Sequence, residues 1–328
     1  MSYFSVRTPV MASASGSCIH QWTRPLQHAT AALLLGFAPA ASFACACGCG
    51  VFDVGTASMF PQHSGAMGYV EYDYLDQDKN WSGTSHAPAD NNDDKRIRTS
   101  FMNVGLLYQF NRSWGVSVEV PYWHRYFQTV DEDSGEIVDF THGAIGDIRI
   151  KGRYTGFSAD MSTGVTFGVK LANGETDYSG FDPDTSIGSG STDLLLGGYH
   201  QGNLSSNNQW RYFLQAQWDE PISHMSNYRP GNEVVATAGA YYEGWQVSPT
   251  VKIAPVLQLN GTYRGRDGGP DGHPEDSGYT RVLVTPGVEV DLNRVSVFLD
   301  VGLPVYTNVN GNQLVGSQFW RMNMSYKF

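Results

Sequence analysis

The sequence predicts an all-β chain, a transmembrane antiparallel β-barrel of about twelve strands with short turns at one end and longer loops at the other. Three observations lead there. From Tyr69 to the end, strand-length stretches alternate apolar residues with polar or small ones, the period of two that sends each set to one side of a sheet. The connections between those stretches alternate between short and long, as in barrels of outer membranes. The chain is also poor in charge without being apolar. Of 328 residues, 16% are charged, 13% are aromatic and 37 are Gly, whereas an average soluble domain carries about 25% charged residues. Scarce Lys and Glu exclude long solvent-facing helices, and abundant aromatics exclude disorder. A net charge of −11 with few basic clusters argues against a nucleic-acid partner.

Taken in order, residues 1–44 hold no Asp, Glu or Lys. Positive Arg7 and Arg24 precede a short apolar run with Leu33, Leu34, Leu35 and Phe37, closed by Ala40-Ala41-Ser42-Phe43-Ala44. That order describes a secretory signal peptide. Pro39 interrupts the run well short of the roughly 18 residues of a spanning helix, which speaks against an N-terminal membrane anchor. Cleavage after Ala44 leaves residues 45–65 as a periplasmic cysteine-containing segment and 66–328 as the barrel.

The barrel stretches follow. Met102, Val104, Leu106, Tyr108 and Phe110 share one face, opposite Phe101, Asn103, Gly105, Leu107 and Gln109. Val116, Val118, Val120 and Tyr122 come next, then Ile148, Ile150 and Tyr154, then Val165, Phe167, Val169 and Leu171. The pattern returns at 210–218, 257–263, 282–290 and 295–303, and more weakly at 66–76, 192–202 and 233–242. Expected short turns are 111–113, 158–163, 203–208 and 292–294; expected long loops include 77–96, 131–142, 176–191, 223–232, 265–278 and 306–313. A soluble sandwich or closed barrel alternates too, but it hides its apolar face and shows a polar one. Trp114, Tyr122, Trp210, Trp218, Tyr242 and Trp320 gather near strand ends, as interfacial girdles require.

The last strand puts Trp320, Met322, Met324, Tyr326 and the terminal Phe328 on one face. This ending resembles the signal that Gram-negative outer-membrane proteins present to their barrel-assembly machinery. Gly146-Asp147-Ile148-Arg149-Ile150-Lys151-Gly152-Arg153-Tyr154, Val165 to Leu171, Gly188-Ser189-Gly190-Ser191-Thr192-Asp193-Leu194 and Gly302 to Gly311 are similar to one family more specifically. That family is the transporter-like outer-membrane proteins associated with the MetA pathway of phenol degradation, and the likeness spans roughly residues 100–328. It implies an outer-membrane barrel of a Gram-negative bacterium, in contact with lipid, and a small solute that includes aromatic compounds.

With the apolar faces toward lipid, Glu119, Arg149, Lys151, Arg153, Lys170, Arg211, Arg281 and Arg321 point to the lumen, with Glu71, Asp73, Asp147, Arg264, Glu289 and Asp300. Two readings stay open. A basic ladder at Arg149, Lys151 and Arg153 draws anions into a narrow passive channel; alternatively, charges of both signs pair across the lumen, as buried charges must. Inward Phe101, Trp123, Phe213, Phe298 and Phe319 either line a path for small aromatics or fill space. Acidic loop clusters at 90–94, 131–133, 182–184 and Asp267/Asp271 lack the spaced calcium-loop pattern and read as solvated charge.

Cys45, Cys47 and Cys49 fall within five residues. Alternate thiolates on a Gly-containing strip suit a soft metal, Cu(I) or Zn²⁺, or a docking contact with a periplasmic metal or redox protein. A disulfide with one thiol left over is the plainer alternative. Ser42-Phe43-Ala44 is a poor match to a lipidation signal at Cys45, and no Cys-x-x-Cys-His appears for haem attachment. His124, His142, His200 and His224 come with no Gly-x-Ser-x-Gly elbow, so the expectation is that the chain is not an enzyme.

Overall fold

A computed structural model describes Phe60 and residues 63–328 except 132 and 244. Its strands are β1 (Gly65–Gly83), β2 (Ser85–His86), β3 (Asp94–Gln109), β4 (Trp114–Val130), β5 (Ile137–Ile145), β6 (Arg149–Tyr154) and β7 (Thr163–Lys170). They continue with β8 (Thr192–Asn203), β9 (Trp210–Ser223), β10 (Glu233–Tyr242), β11 (Trp245–Ser248), β12 (Val251–Arg264), β13 (Tyr279–Leu292) and β14 (Val295–Lys327). Among the described residues no helix is long and apolar enough to cross a membrane.

Eleven of these strands close an antiparallel barrel among the described residues. From β10 the order runs β9, β8, β7, β6, β4, β3, β1, β14, β13 and β12, and β10 pairs with β12 to complete the circle. β2, β5 and β11 attach to β1, β4 and β12. The two stretches expected at 295–303 and 320–328 belong to one continuous run, β14, of 33 residues. Straight, it would measure about 109 Å, yet the Lys327 N–H donates to the Arg294 carbonyl at 2.9 Å. The run therefore folds back on itself. Its first arm pairs with β13 and its second with β1, and the reversal falls at Asn310-Gly311, where Gly311 takes φ +58°, a conformation that disfavours a Cβ.

Three expected loops are corrected. β1 continues to Gly83, β5 begins at Ile137, and 306–313 is extended, so most of 77–96, half of 131–142 and all of 306–313 are strand. The reason is local. At this end the outward face carries polar residues as well (Asp76, Asp78, Arg96, Arg98, His124, Gln128), because it lies beyond the apolar band of a membrane barrel, and the apolar alternation fades.

Pro121 explains why β5 and β6 are separate. Proline has no N–H to give a neighbouring strand. On that side β4 pairs with β6 as far as Glu119 and resumes with β5 at Tyr122. The chain at 146–148 leaves the ladder opposite the proline, with only the Gly146 N–H reaching the Pro121 carbonyl at 2.9 Å.

Candidate functional site: the barrel lumen

Alternation along each strand sorts residues between two environments. Outside are Met102, Val104, Leu106, Tyr108, Val118, Leu257, Leu259 and Leu299, all exposed. This apolar band is bounded by aromatics. Near the short-turn end Tyr108–Phe110, Trp114–Tyr154, Trp210–Tyr242 and Tyr326–Phe328 lie with ring centroids 4.8–5.1 Å apart. Toward the other end stand Tyr72, Tyr122, Trp218, Tyr263 and Trp320. Trp114 to Tyr122 spans about 26 Å along the strand, or about 20 Å along the axis of a barrel tilted about 40°, comparable with the ~25 Å apolar band of membrane barrels. Trp320, Met322, Met324 and Tyr326 face outward, and the Phe328 N–H donates to the Ala66 carbonyl at 3.0 Å.

The charged residues expected in the lumen are buried or half-buried, those on strands alternating with the exposed apolar set and Asp147 in the stretch between β5 and β6, and partners of opposite sign accompany most of them. Lys151 Nζ lies 3.0 Å from Glu119 Oε1, and Lys170 Nζ lies 2.5 Å from Asp193 Oδ2. Arg149 approaches Asp219 at 3.8 Å, Arg211 approaches Glu243 at 3.9 Å, and Arg321 Nε donates to Asp73 Oδ1 at 3.0 Å. Arg281 lies over the rings of Phe319 and Tyr279, 4.5 and 5.0 Å from their centroids. Arg153 lines a cavity of about 60 Å³ with Glu119 and Lys151; one water needs about 10–15 Å³, so the space is large enough for a few. Phe101, Phe213, Phe298 and Phe319 are buried inside, and Trp123 packs against Phe101 at 4.8 Å.

Sequence reasoning missed Arg125. It sits in β4 beyond Tyr122, where the alternation quoted for that strand stops, is fully buried, and donates to Thr99 Oγ1 at 3.1 Å and to the carbonyls of Thr185 and Ser186. Those carbonyls belong to the loop 171–191, so this loop folds into the barrel. Asp147, released from the ladder opposite Pro121, pins it again. Its carboxylate accepts from the Gly174 N–H (2.8 Å), the Ser189 N–H (2.8 Å) and Ser189 Oγ (2.5 Å). Two motifs that carry the family resemblance, around Asp147 and around Ser189, thus meet. Gly174 and Gly188 touch so closely that a Cβ on either would lie under 3 Å from the other's backbone. Further out, His142 bonds Glu175 at 2.9 Å and stacks on Tyr178 at 3.6 Å.

Toward the short-turn end Phe60 lies within the barrel. Its ring is 4.9 Å from Tyr199 and 5.6 Å from Phe213, and it clusters with Tyr241, Val256 and Phe298. No alternation pattern around residue 60 announces this. Asp267, expected as solvated loop charge, is instead buried: it pairs with Arg264 at 2.9 Å and accepts from Tyr228 Oη at 3.0 Å. Burial without those partners would cost several kcal/mol. Cys45, Cys47 and Cys49 lie outside the described residues.

A closed antiparallel sheet with an apolar, aromatic-bounded outer face and a charged inner one defines the class of membrane-spanning β-barrels. The chain is similar in structure to an outer membrane channel from Pseudomonas putida F1: 13% identity over 84% of this chain and 100% of that one, with a TM-score of 0.63. That likeness shows a shared fold. The β domain of the Bordetella autotransporter BrkA (11% identity, 81% and 100% covered, TM-score 0.48) and the toluene transporter TbuX of Ralstonia pickettii (10%, 81% and 90%, 0.40) align too loosely to add to it. No protein-family model and none of the curated proteins matches the sequence, so the family resemblance rests on the motifs quoted above.

Proposed function

We propose that this chain is an outer-membrane barrel of a Gram-negative bacterium that passes small solutes, aromatic or anionic, passively through its lumen. The two arms of β14 serve as separate crossings, giving twelve in all, the even number such barrels use. Residues 1–44 act as the signal peptide, and the outward face ending in Phe328 is read by the barrel-assembly machinery. The observation that carries the reading is the contrast between exposed apolar residues on one face of the closed sheet and, alternating with them, the buried or half-buried charges Arg149, Lys151, Arg153, Arg211 and Arg281. Conduction fits such a wall better than catalysis, since the lumen offers charge and rings along its length. The paired charges and the in-folded loop make the path narrow, which suits small solutes rather than large ones.

Planar-bilayer recording of the refolded protein tests this. Discrete conductance with a reversal potential shifted toward anions is expected; a barrel that folds and inserts but carries no current contradicts the channel. The three cysteines support a second reading, a soft-metal or redox-partner site in the N-terminal periplasmic segment. Stoichiometric Cu(I) binding by the protein that disappears in Cys47→Ser/Cys49→Ser is expected there, and binding that survives those changes sinks it.

A further inference from the structure

The regular wall breaks at one level near the long-loop end. β1 and β14 slip register between Leu75 and Gln77 and again between Gln77 and Lys79. The β13–β14 ladder slips between Val282 and Leu283, leaving Val305 and Tyr306 both exposed in succession. On the second arm Ser317 and Gln318 are likewise exposed in succession. Bulges re-aim side chains and recur beside functional sites. Here irregularities in adjoining strands border one cavity of about 340 Å³, with Lys79, Trp81, His86, Tyr306, Val315 and Ser317 in its lining. That volume reaches the range of small-ligand pockets, about 300–1,000 Å³.

The cavity opens outward. Lys79, His86, Tyr306 and Ser317 are exposed. Its height is fixed by register: Tyr74 pairs with Trp320 in the upper girdle, and Lys79 pairs with Val315 just beyond it. In an outer membrane that is the level of lipid head groups, with acyl chains against the apolar band below. Its chemistry is also divided. Trp81, half-buried against Val315 and with its ring 4.6 Å from that of His86, and the exposed Tyr306 give the lining aromatic surface suited to a sugar ring. Lys79 supplies an ammonium, which forms a charge-assisted hydrogen bond with phosphate oxygens. Of the nearby acids, Asp76 is engaged by Arg96 at 2.5 and 2.9 Å, and Asp78 is not part of the lining.

We propose that this cavity binds the phosphorylated sugar head group of an outer-leaflet glycolipid, an inference that rests on the outer-membrane placement above. Lys79 meets the phosphate, Trp81 and Tyr306 hold the sugar, and the acyl chains run down the outer face beside Val305.

Native mass spectrometry of the refolded full chain in detergent, with bis-phosphorylated lipid A and its dephosphorylated form as probes, tests it. One lipid A retained per barrel is expected, with binding weakened at least tenfold by Lys79→Glu, by Trp81→Ala and by removal of the phosphates. Each variant is first shown to keep the heat-dependent gel shift of the folded barrel; Lys79→Glu, at an exposed position, carries the test if Trp81→Ala does not fold. Equal binding by Lys79→Glu, or equal binding of the dephosphorylated lipid, overturns the proposal. Glucosamine 1-phosphate binding more tightly than lipid A reassigns the site to a soluble sugar phosphate and overturns it too. A protein without any heat-dependent gel shift instead fails the barrel reading itself.

Discussion

Along the last arm of β14, neighbouring residues live under different physics. Phe319, Arg321, Asn323 and Ser325 are buried toward the lumen, while Trp320, Met322, Met324 and Tyr326 are exposed on the outer face. The inner set is defined by particular partners: Arg321 by Asp73, Asn323 by Glu71 at 3.1 Å, and Phe319 by Arg281. The outer set is defined by the surrounding medium, and any apolar side chain of similar size would serve. One face is therefore specified pair by pair and the other as a class, which predicts unequal tolerance to substitution.

Arg321→Met is the sharpest way to probe that inequality. It leaves Asp73 and Asp300 buried without their cation, and a buried pair broken from one side costs about 3–5 kcal/mol. The urea midpoint of the refolded barrel should fall accordingly, while Met322→Leu, next to it, should stay within about 1.5 kcal/mol of the parent. Equal losses would erase the distinction between the faces. Met322→Arg places a charge in the apolar band and should cost about 2–4 kcal/mol, according to its depth.

Phe60→Ala comes next. Its ring touches the inner wall, but it belongs to no strand, so the loss is close to the transfer of one Phe side chain, about 2 kcal/mol. Single-channel conductance should rise because the ring no longer fills the lumen. An unchanged conductance would mean that Phe60 does not restrict the path. The smallest effect concerns an exposed turn. Asp131 accepts from Ser134 Oγ at 2.8 Å and from the Ser134 N–H at 2.9 Å, and these bonds hold its carboxyl below the ordinary carboxylate value. The turn's extra stability is complete above the unfolded carboxylate pKa, about 3.9, and is lost as pH falls through the lower folded value. The Ser134 amide resonance should shift in that window and not at neutral pH.

The same inequality governs what the sequence makes legible. The lipid-facing sets, from Met102–Phe110 to Trp320–Phe328, are readable because a uniform medium imposes a strict period of two. The upper strand ends of β1, β4 and β14 are not, since there the outward face turns polar and the apolar alternation fades. The inner face is readable as a list of charges but not as pairs. Lys170 and Asp193 lie on β7 and β8 on either side of the loop 171–191, and nothing in spacing says which acid meets which base. Arg125 escapes notice because its carbonyl partners, at Thr185 and Ser186, lie in a loop without periodicity. Phe60 escapes for the same reason.

The central claim is that each strand shows one face to lipid and the other to a polar lumen. Single cysteines at positions 320 to 325, in a background whose four native cysteines are serine, test it most directly. In lipid vesicles, a small water-soluble thiol reagent should label 321, 323 and 325, and a lipid-soluble fluorescence quencher should reach probes at 320, 322 and 324. Labelling that ignores this alternation, or reverses it, would contradict the account.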